Sequence, residues 1–529
     1  MDQLPAQKKS FFRRELIYLL IVLIAATILG VLVILRLNPQ ATKLQGADYI
    51  EGLPRDKVTV GILEIIVGLY PNVTFDVDSI AINSNMFEGL TMIRGGRLQP
   101  ALAESWTNPD DLTWKIKLRS GVKFHSGNPL KASDVKYTIE EAKKHPDWFD
   151  GIASSIASKV DSVKVIDDQT VELKTKKPDP TLLHWMIYLF ISSEDQVKKD
   201  GLEKAVGTGP YKLVSIDKKE AVLKANDAYW GGPPKVKNLV YKAYKDARAI
   251  ADGFEKGEVD VSLFLENAYN EELKNKGFSV IPTKSGDISF LGFNTKMAPF
   301  TDIRVRKAIL LALDVNKILK GSDRDGQPAT QFATADLTGF NKELTRPKTD
   351  KEAAKRLLSE AGFANGFTVT LNVPDIAVKE GEQIKTELAT IGINVKLNPL
   401  AFEEFFAALP SVSFYRLAYV PDTLDSTDLL NSFVHSPTAD KGSLNFSGYS
   451  NPKLDELLDK ASITFNTNER AKIIEQAHKE VMDQLPIVPL VERITFFILR
   501  EDVSFKPAPF GYIFGFELSG RQKASNNAQ

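Results

Sequence analysis

The chain has no cysteine among its 529 residues. That excludes disulfides, thiolate metal sites, a nucleophilic cysteine and a lipid-modified N-terminal cysteine. Histidine is scarce: His125, His145, His184, His435 and His478 are scattered without the spacing of metal ligands. An excess of charge is missing too. Lys and Arg number 67 against 68 Asp and Glu, a formal net charge of −1, which gives no electrostatic case for nucleic acid. No Gly-x-Ser-x-Gly elbow, phosphate loop or His-Glu-x-x-His occurs, and no two carboxylates form an interpretable acid–base pair. The sequence therefore proposes no cofactor, no metal and no catalytic residue, and it reads as a non-enzyme.

Long apolar runs are missing but for one. Leu16–Leu35 (LIYLLIVLIAATILGVLVIL) carries no charge. At roughly 20 residues it is long enough to cross a bilayer. Lys8, Lys9, Arg13 and Arg14 precede it, which favours a cytoplasmic N-terminus. A cleaved signal peptide is the rival reading, but the run exceeds a usual signal core and no clear small-x-small site follows. The expectation is a single-pass anchor in the cell membrane, with residues 1–15 cytoplasmic, 16–35 spanning, 36–55 a linker and the remainder extracytoplasmic.

The remainder is globular in composition, 43% hydrophobic and 26% charged. It is too long for one ordinary core. Trp114, Ile116 and Leu118 alternate with Lys115, Lys117 and Arg119, the period of a half-buried strand. Ser133 followed by Asp134, Val135, Ile139 and Ala142 predicts a capped helix start. Downstream, Asp302 precedes a helix bearing Val305, Ile309, Ala312 and Leu313, and Thr349–Glu352 reads as a capping box. Phe367–Val373, Ala377–Thr390 and Ile393–Leu397 then read as strand, helix and strand, with Gly392 as the helix stop. Such a βαβ unit predicts parallel strands. A helix at Ala401–Leu409, a strand at Phe414–Val420 and a helix at Ser426–Phe433 complete an α/β pattern, whose ligands bind beyond the carboxyl ends of strands. No internal repeat is visible.

Five blocks of sequence now carry a resemblance. Glu88-Gly89-Leu90, Pro100–Trp106, Leu118-Arg119, Gly121–His125 and Asp134-Val135 form the first. Gly207–Tyr211 with Asn226–Gly232 form the second, and Gly257-Glu258-Val259-Asp260 the third. Phe293-Asn294-Thr295, Pro299-Phe300 and Arg304–Ala308 form the fourth. Asn451–Asp455 with Leu485–Leu490 form the fifth. In this order they are similar to the family 5 extracellular solute-binding proteins, the oligopeptide, dipeptide and nickel receptors of ABC importers. The resemblance covers about residues 57–515. It implies a two-lobed periplasmic-binding-protein-like fold (type II) behind the N-terminal transmembrane helix. The first lobe would span 56–285, with an extra subdomain at 98–205 and a return at 495–520. The second would span 286–494, and 521–529 would be a disordered tail. It also implies a monomer that captures a peptide or other small solute between the lobes and delivers it to ABC permease subunits.

In peptide receptors of this family, a strand similar to Phe414–Val420 ends in a Trp-x-Ala-Asp pattern. Its backbone pairs with the peptide and its Asp neutralises the α-amine. Arg416 stands where the Trp would, and Tyr419 where the Asp would. The resemblance makes Tyr415, Arg416, Leu417 and Tyr419 ligand candidates. Asp422 and Asp425 are acids near enough to replace the anchor, with capping of the next helix as their competing role. Arg416 would face either an anionic ligand group or solvent. On the first lobe Asp78, Ser79 and Ile80 match a segment that touches ligand. Loss of the usual acid leaves two alternatives open: an anchored sensor module, or a receptor for another solute such as a metal complex or sugar. His125, Trp106, Trp114 and Trp230 read as structural.

Overall fold

The computed structural model describes residues 49–65, 72, 77–144, 151–201, 204, 206–263, 267–507 and 513–523. The apolar N-terminal run and His145 lie outside these residues, as does the tail from residue 524. Among the described residues no helix is long and apolar enough to cross a membrane. Residues up to Leu53, with those from Arg521, form one compact unit, and Pro54–Gly520 form another. In the first unit Tyr49–Leu53 is a strand, and the Arg521 guanidinium lies 4.6 Å from the centre of the Tyr49 ring.

The centre of the second unit is an 11-stranded sheet. From one edge the main path runs Ile393–Leu400, Phe367–Pro374, Phe414–Tyr419, Ser279–Phe293, Ile487–Leu499, Val261–Leu263, Arg55–Ile62, Val236–Ala243, Glu220–Ala225 and Tyr211–Ile216. Two of these strands are long, with 15 and 13 residues, and belong to both lobes. Residues 279–284 pair with 494–499, beside the first-lobe strand Val261–Leu263. Residues 288–292 pair with 487–492, beside the second-lobe strand Phe414–Tyr419. The register breaks between Lys284 and Ile288, where Gly286 takes a φ of +75°, a conformation open to glycine at no steric cost. The ladder that runs through both lobes is interrupted at that place.

The second lobe is built as its local signals dictate. Asp302 caps Ile303–Ala312, accepting from Arg304 N at 2.8 Å. Capping of Lys351–Glu360 falls to Asp350 rather than Thr349, with Ala353 N donating at 2.8 Å. Phe367–Pro374 and Ile393–Leu400 pair in parallel from Phe367↔Ile393 to Pro374↔Leu400. Their crossover helix, Val378–Ala389, buries Ile384 and Leu388, and Gly392 (φ +87°) turns the chain back into the sheet. In the first lobe, Val58, Tyr211 and Tyr241 share a core with Val503, Phe505, Ile513 and Leu518 from the end of the chain.

A separate four-stranded antiparallel sheet forms the subdomain, in the order Ala103–Asp110, Thr113–Leu118, Thr170–Thr175, Val160–Asp167. Trp114, Ile116 and Leu118 point inward against Ile139 and Ile156 of the two helices behind. The helix begins at Ala132, earlier than Ser133 suggests. Its cap is supplied from within, because Asp134 Oδ2 accepts Lys131 N at 2.8 Å.

The helix Thr467–Gln484 closes the second lobe and carries His478, which is fully buried. Neither ring nitrogen has a partner among the described residues. Burial pushes the imidazole down to about 3. The unfolded chain binds this proton near pH 6.5, so stability falls as pH drops from there towards 3, by about 1.4 kcal/mol per unit. His478→Leu should remove that dependence. Denaturant melts at pH 7 and pH 5 should show the variant gaining about 2 kcal/mol relative to wild type on acidification.

Candidate functional site

The strand Phe414–Tyr419 enters the sheet between two unequal neighbours. On one side it pairs with Ser279–Phe293 along its whole length, from Phe293↔Phe414 to Ile288↔Tyr419. On the other it meets Phe367–Pro374 at one position, Asn372↔Tyr415. Beyond Tyr415 that outer edge has no strand partner among the described residues. Its backbone is a free template for one more extended chain.

The side chains of this strand have other duties. Tyr415 and Leu417 are buried in the second-lobe core, and Tyr415 lies edge-on to Phe290 and Phe446. Arg416 faces neither solvent nor open cleft. It is 3% exposed, and its Nη2 lies 2.6 Å from Glu380 Oε2, equally buried on the crossover helix. Ser289 Oγ donates to the other Glu380 oxygen at 3.0 Å. Burial works against the Glu380 charge, but Arg416 outweighs it and holds the carboxyl below its usual range. The sequence showed Arg416 as a departure from a pattern. Its partner is 36 residues upstream, and no local signal connects the two.

At the strand's carboxyl end the chain turns through Asp422. This carboxylate is half-buried and accepts a 2.5 Å hydrogen bond from the Tyr419 hydroxyl. Burial raises it above the ordinary range, and only the Tyr419 bond works the other way. Asp425 sits differently. It is fully buried, caps Ser426–Phe433 through Thr427 N at 3.0 Å, and pairs with Arg470 Nε at 2.9 Å. Both oxygens are committed to the second lobe's own structure.

On the first lobe, Asp78, Ser79 and Ile80 lie on the helix Val77–Asn83. Asp78 accepts Glu64 N at 3.4 Å. Ile80 lines an apolar cavity of about 120 Å³ with Phe87, Tyr188, Phe190 and Phe516. No second-lobe residue lines that cavity, so it belongs to the first lobe and not to the space between lobes. Glu88 at its wall is held by Thr208, Tyr229 and Trp230, and burial pushes its carboxyl up to about 7.

The histidines do not converge. His125 Nε2 bonds the Gly209 carbonyl at 3.0 Å, and burial pushes its ring down to about 4. His435 bridges Ser436 O and Asp459. Among the described residues no group of three potential metal ligands occurs. The Asn445 amide donates to His435 O and Tyr449 O, at 2.8 and 2.9 Å.

The Arg416–Glu380 pair yields a direct test. Removing one partner strands a buried charge, which costs about 3–5 kcal/mol. Arg416→Met should lose that much in chemical denaturation, and adding Glu380→Leu should restore most of it.

Comparison with known proteins agrees with this architecture. The family described as "Bacterial extracellular solute-binding proteins, family 5 Middle" matches residues 97–441. Heme-binding protein A of Haemophilus influenzae is 28% identical over 469 residues, covering 80% of this chain and 85% of that protein. The dipeptide-binding protein of Escherichia coli is 24% identical over 470 residues, covering 81% and 87%. Among solved structures, HbpA2 from Haemophilus parasuis superposes with a TM-score of 0.80 at 25% identity, over 88% of this chain and all of that one. With its two-lobed α/β architecture and this match, the chain belongs to the family 5 bacterial extracellular solute-binding proteins.

Proposed function

We propose that this protein is the substrate-binding component of an ABC importer, that it captures short peptides between its lobes, and that a membrane permease receives them. The observation that carries the peptide reading is the outer edge of Phe414–Tyr419. An extended peptide laid there completes the ladder beyond Tyr415 with main-chain hydrogen bonds, which tolerate varied side chains. At the end of that edge stands Asp422, a desolvated carboxylate whose partner is a phenol and not a cation. An α-ammonium group of a peptide supplies the missing charge, and Tyr419 orients the acid for it. The relatives' names include a dipeptide-binding and a heme-binding protein, so the reading is chosen on the edge and the acid.

Asp425 has no capacity left for this role. Arg416 is likewise neutralised internally by Glu380. Tyr415 and Leu417 contribute through their backbone, whereas Ser79 is buried and Ile80 lines the first lobe's own apolar cavity.

The soluble part from Asp56 should gain thermal stability with a pool of di- to pentapeptides, through mass action. Asp422→Asn should weaken peptides with a free amine by about 2 kcal/mol or more, roughly thirty-fold, and leave N-acetylated peptides little changed. Equal losses for both, in calorimetric titration, would remove Asp422 as the amine partner.

The apolar run Leu16–Leu35 fits an uncleaved anchor. The whole chain should then sediment with membranes after carbonate washing at its full mass. A product shortened at its N-terminus and recovered in the soluble fraction would identify a cleaved leader instead.

A further inference from the structure

Between the lobes, away from the two shared strands, lies a charged cluster that peptide capture as described leaves unused. Lys159, Asp179, Thr181 and His184 come from the subdomain. Thr423, Asp425, Asp428 and Arg470 come from the second lobe. Two ion pairs are complete within their own lobes: Lys159–Asp179 at 3.2 Å and Arg470–Asp425 at 2.9 Å. Asp428 is the third acid and has no such partner in its lobe. Thr423 Oγ1 donates to one of its oxygens at 2.9 Å. Thr181 Oγ1 reaches the other from across the seam at 3.5 Å. The same seam holds Lys177–Asp440 at 2.6 Å and the Trp114 ring 5.8 Å from Phe465.

The two lobes answer each other in charge. Lys159 of the subdomain faces Asp428 and Asp440 of the second lobe. His184 of the subdomain faces Asp425 and Arg470 of the second lobe, and its Nδ1 is buried without a partner. We infer that Asp428 and His184 are closure-determining residues: when the lobes meet, Asp428 takes up a proton at the seam and His184 gives one up. For each closing event at mildly acid pH, one imidazolium N–H bond breaks to water and one carboxylate O–H bond forms from water. Net uptake is then zero. The inference deepens the capture reading, since closure is the motion that buries the ligand.

Burial is the main force on both groups. It pushes the Asp428 carboxyl up to about 7, with Asp179 and Asp425 adding to the effect and Lys159 and Thr423 opposing it. It pushes His184 below the usual range, with Arg470 adding and Asp425 and Asp179 opposing. With the lobes apart, each group returns towards its ordinary value in water, about 4 and about 6.5. A group raised on closure favours the closed state as pH falls from about 7 towards 4. A group depressed on closure disfavours it as pH falls below about 6.5. The two slopes oppose each other in the acid range where both groups titrate, and above about 7 neither group makes closure depend on pH.

The absence of cysteine makes the test clean. Spin labels at Asp168→Cys in the subdomain and Glu352→Cys in the second lobe, both exposed, report the inter-lobe distance without any ligand. Between pH 6.5 and 5 the closed-to-open ratio of the otherwise wild-type protein should change less than that of either single variant. With Asp428→Asn, only His184 remains, and the ratio should fall over that range. With His184→Gln, only Asp428 remains, and the ratio should rise on the order of tenfold. Opposite slopes support the exchange. Parallel profiles for all three proteins overturn it, and if one variant does not fold the slope of the other decides alone. Because no ligand is present, a failed peptide assignment leaves the result readable, and a failed exchange leaves the peptide assignment standing.

Discussion

Everything in this molecule depends on two strands that serve two cores at once. Ser279–Phe293 and Ile487–Leu499 are hydrogen-bonded to each other, yet their two halves sit among different neighbours. Each half is held by the core of its own lobe. The break at Lys284–Ile288 is where the ladder gives way, because an interrupted register loses few hydrogen bonds when it bends. A receptor that must close on a ligand needs rigid lobes and one compliant seam, and the sheet supplies both from a single continuous structure.

The same division governs where charge is placed. Two buried ion pairs lie within the second lobe: Arg416 with Glu380, and Arg470 with Asp425. Such pairs are costly to bury and costlier to break, and they hold the ligand-side strand and helix in register with their support. Asp422 and Asp428 are two acids without an ion pair among the described residues, and both follow the carboxyl end of Phe414–Tyr419. Asp422 accepts the Tyr419 hydroxyl, and Asp428 is reached by Thr181 of the subdomain.

Much of the second lobe was legible because its signals are local. Asp302, Asp350 and Asp425 cap helices within three residues of themselves, and the parallel pair at Phe367 and Ile393 follows from a strand–helix–strand pattern. Ser133 misled because an acid at the next position satisfies the helix start from inside. The site was less legible. Arg416, Tyr419, Asp422 and Asp425 look alike on paper, polar residues at a strand end. Their roles part only when Glu380, 36 residues before Arg416, and Arg470, 45 residues after Asp425, arrive in space.

What the sequence determined by itself was the kind of protein: lobes of α/β construction, no thiol chemistry, and the order of blocks that marks the family. Periodicity, caps and composition act over a few residues, and they suffice for that. Which acid remains free, which arginine is neutralised, and which side chains meet across the seam were decided by tertiary structure alone. Those outcomes are differences in desolvation and in charge pairing over distances that the chain closes only by folding.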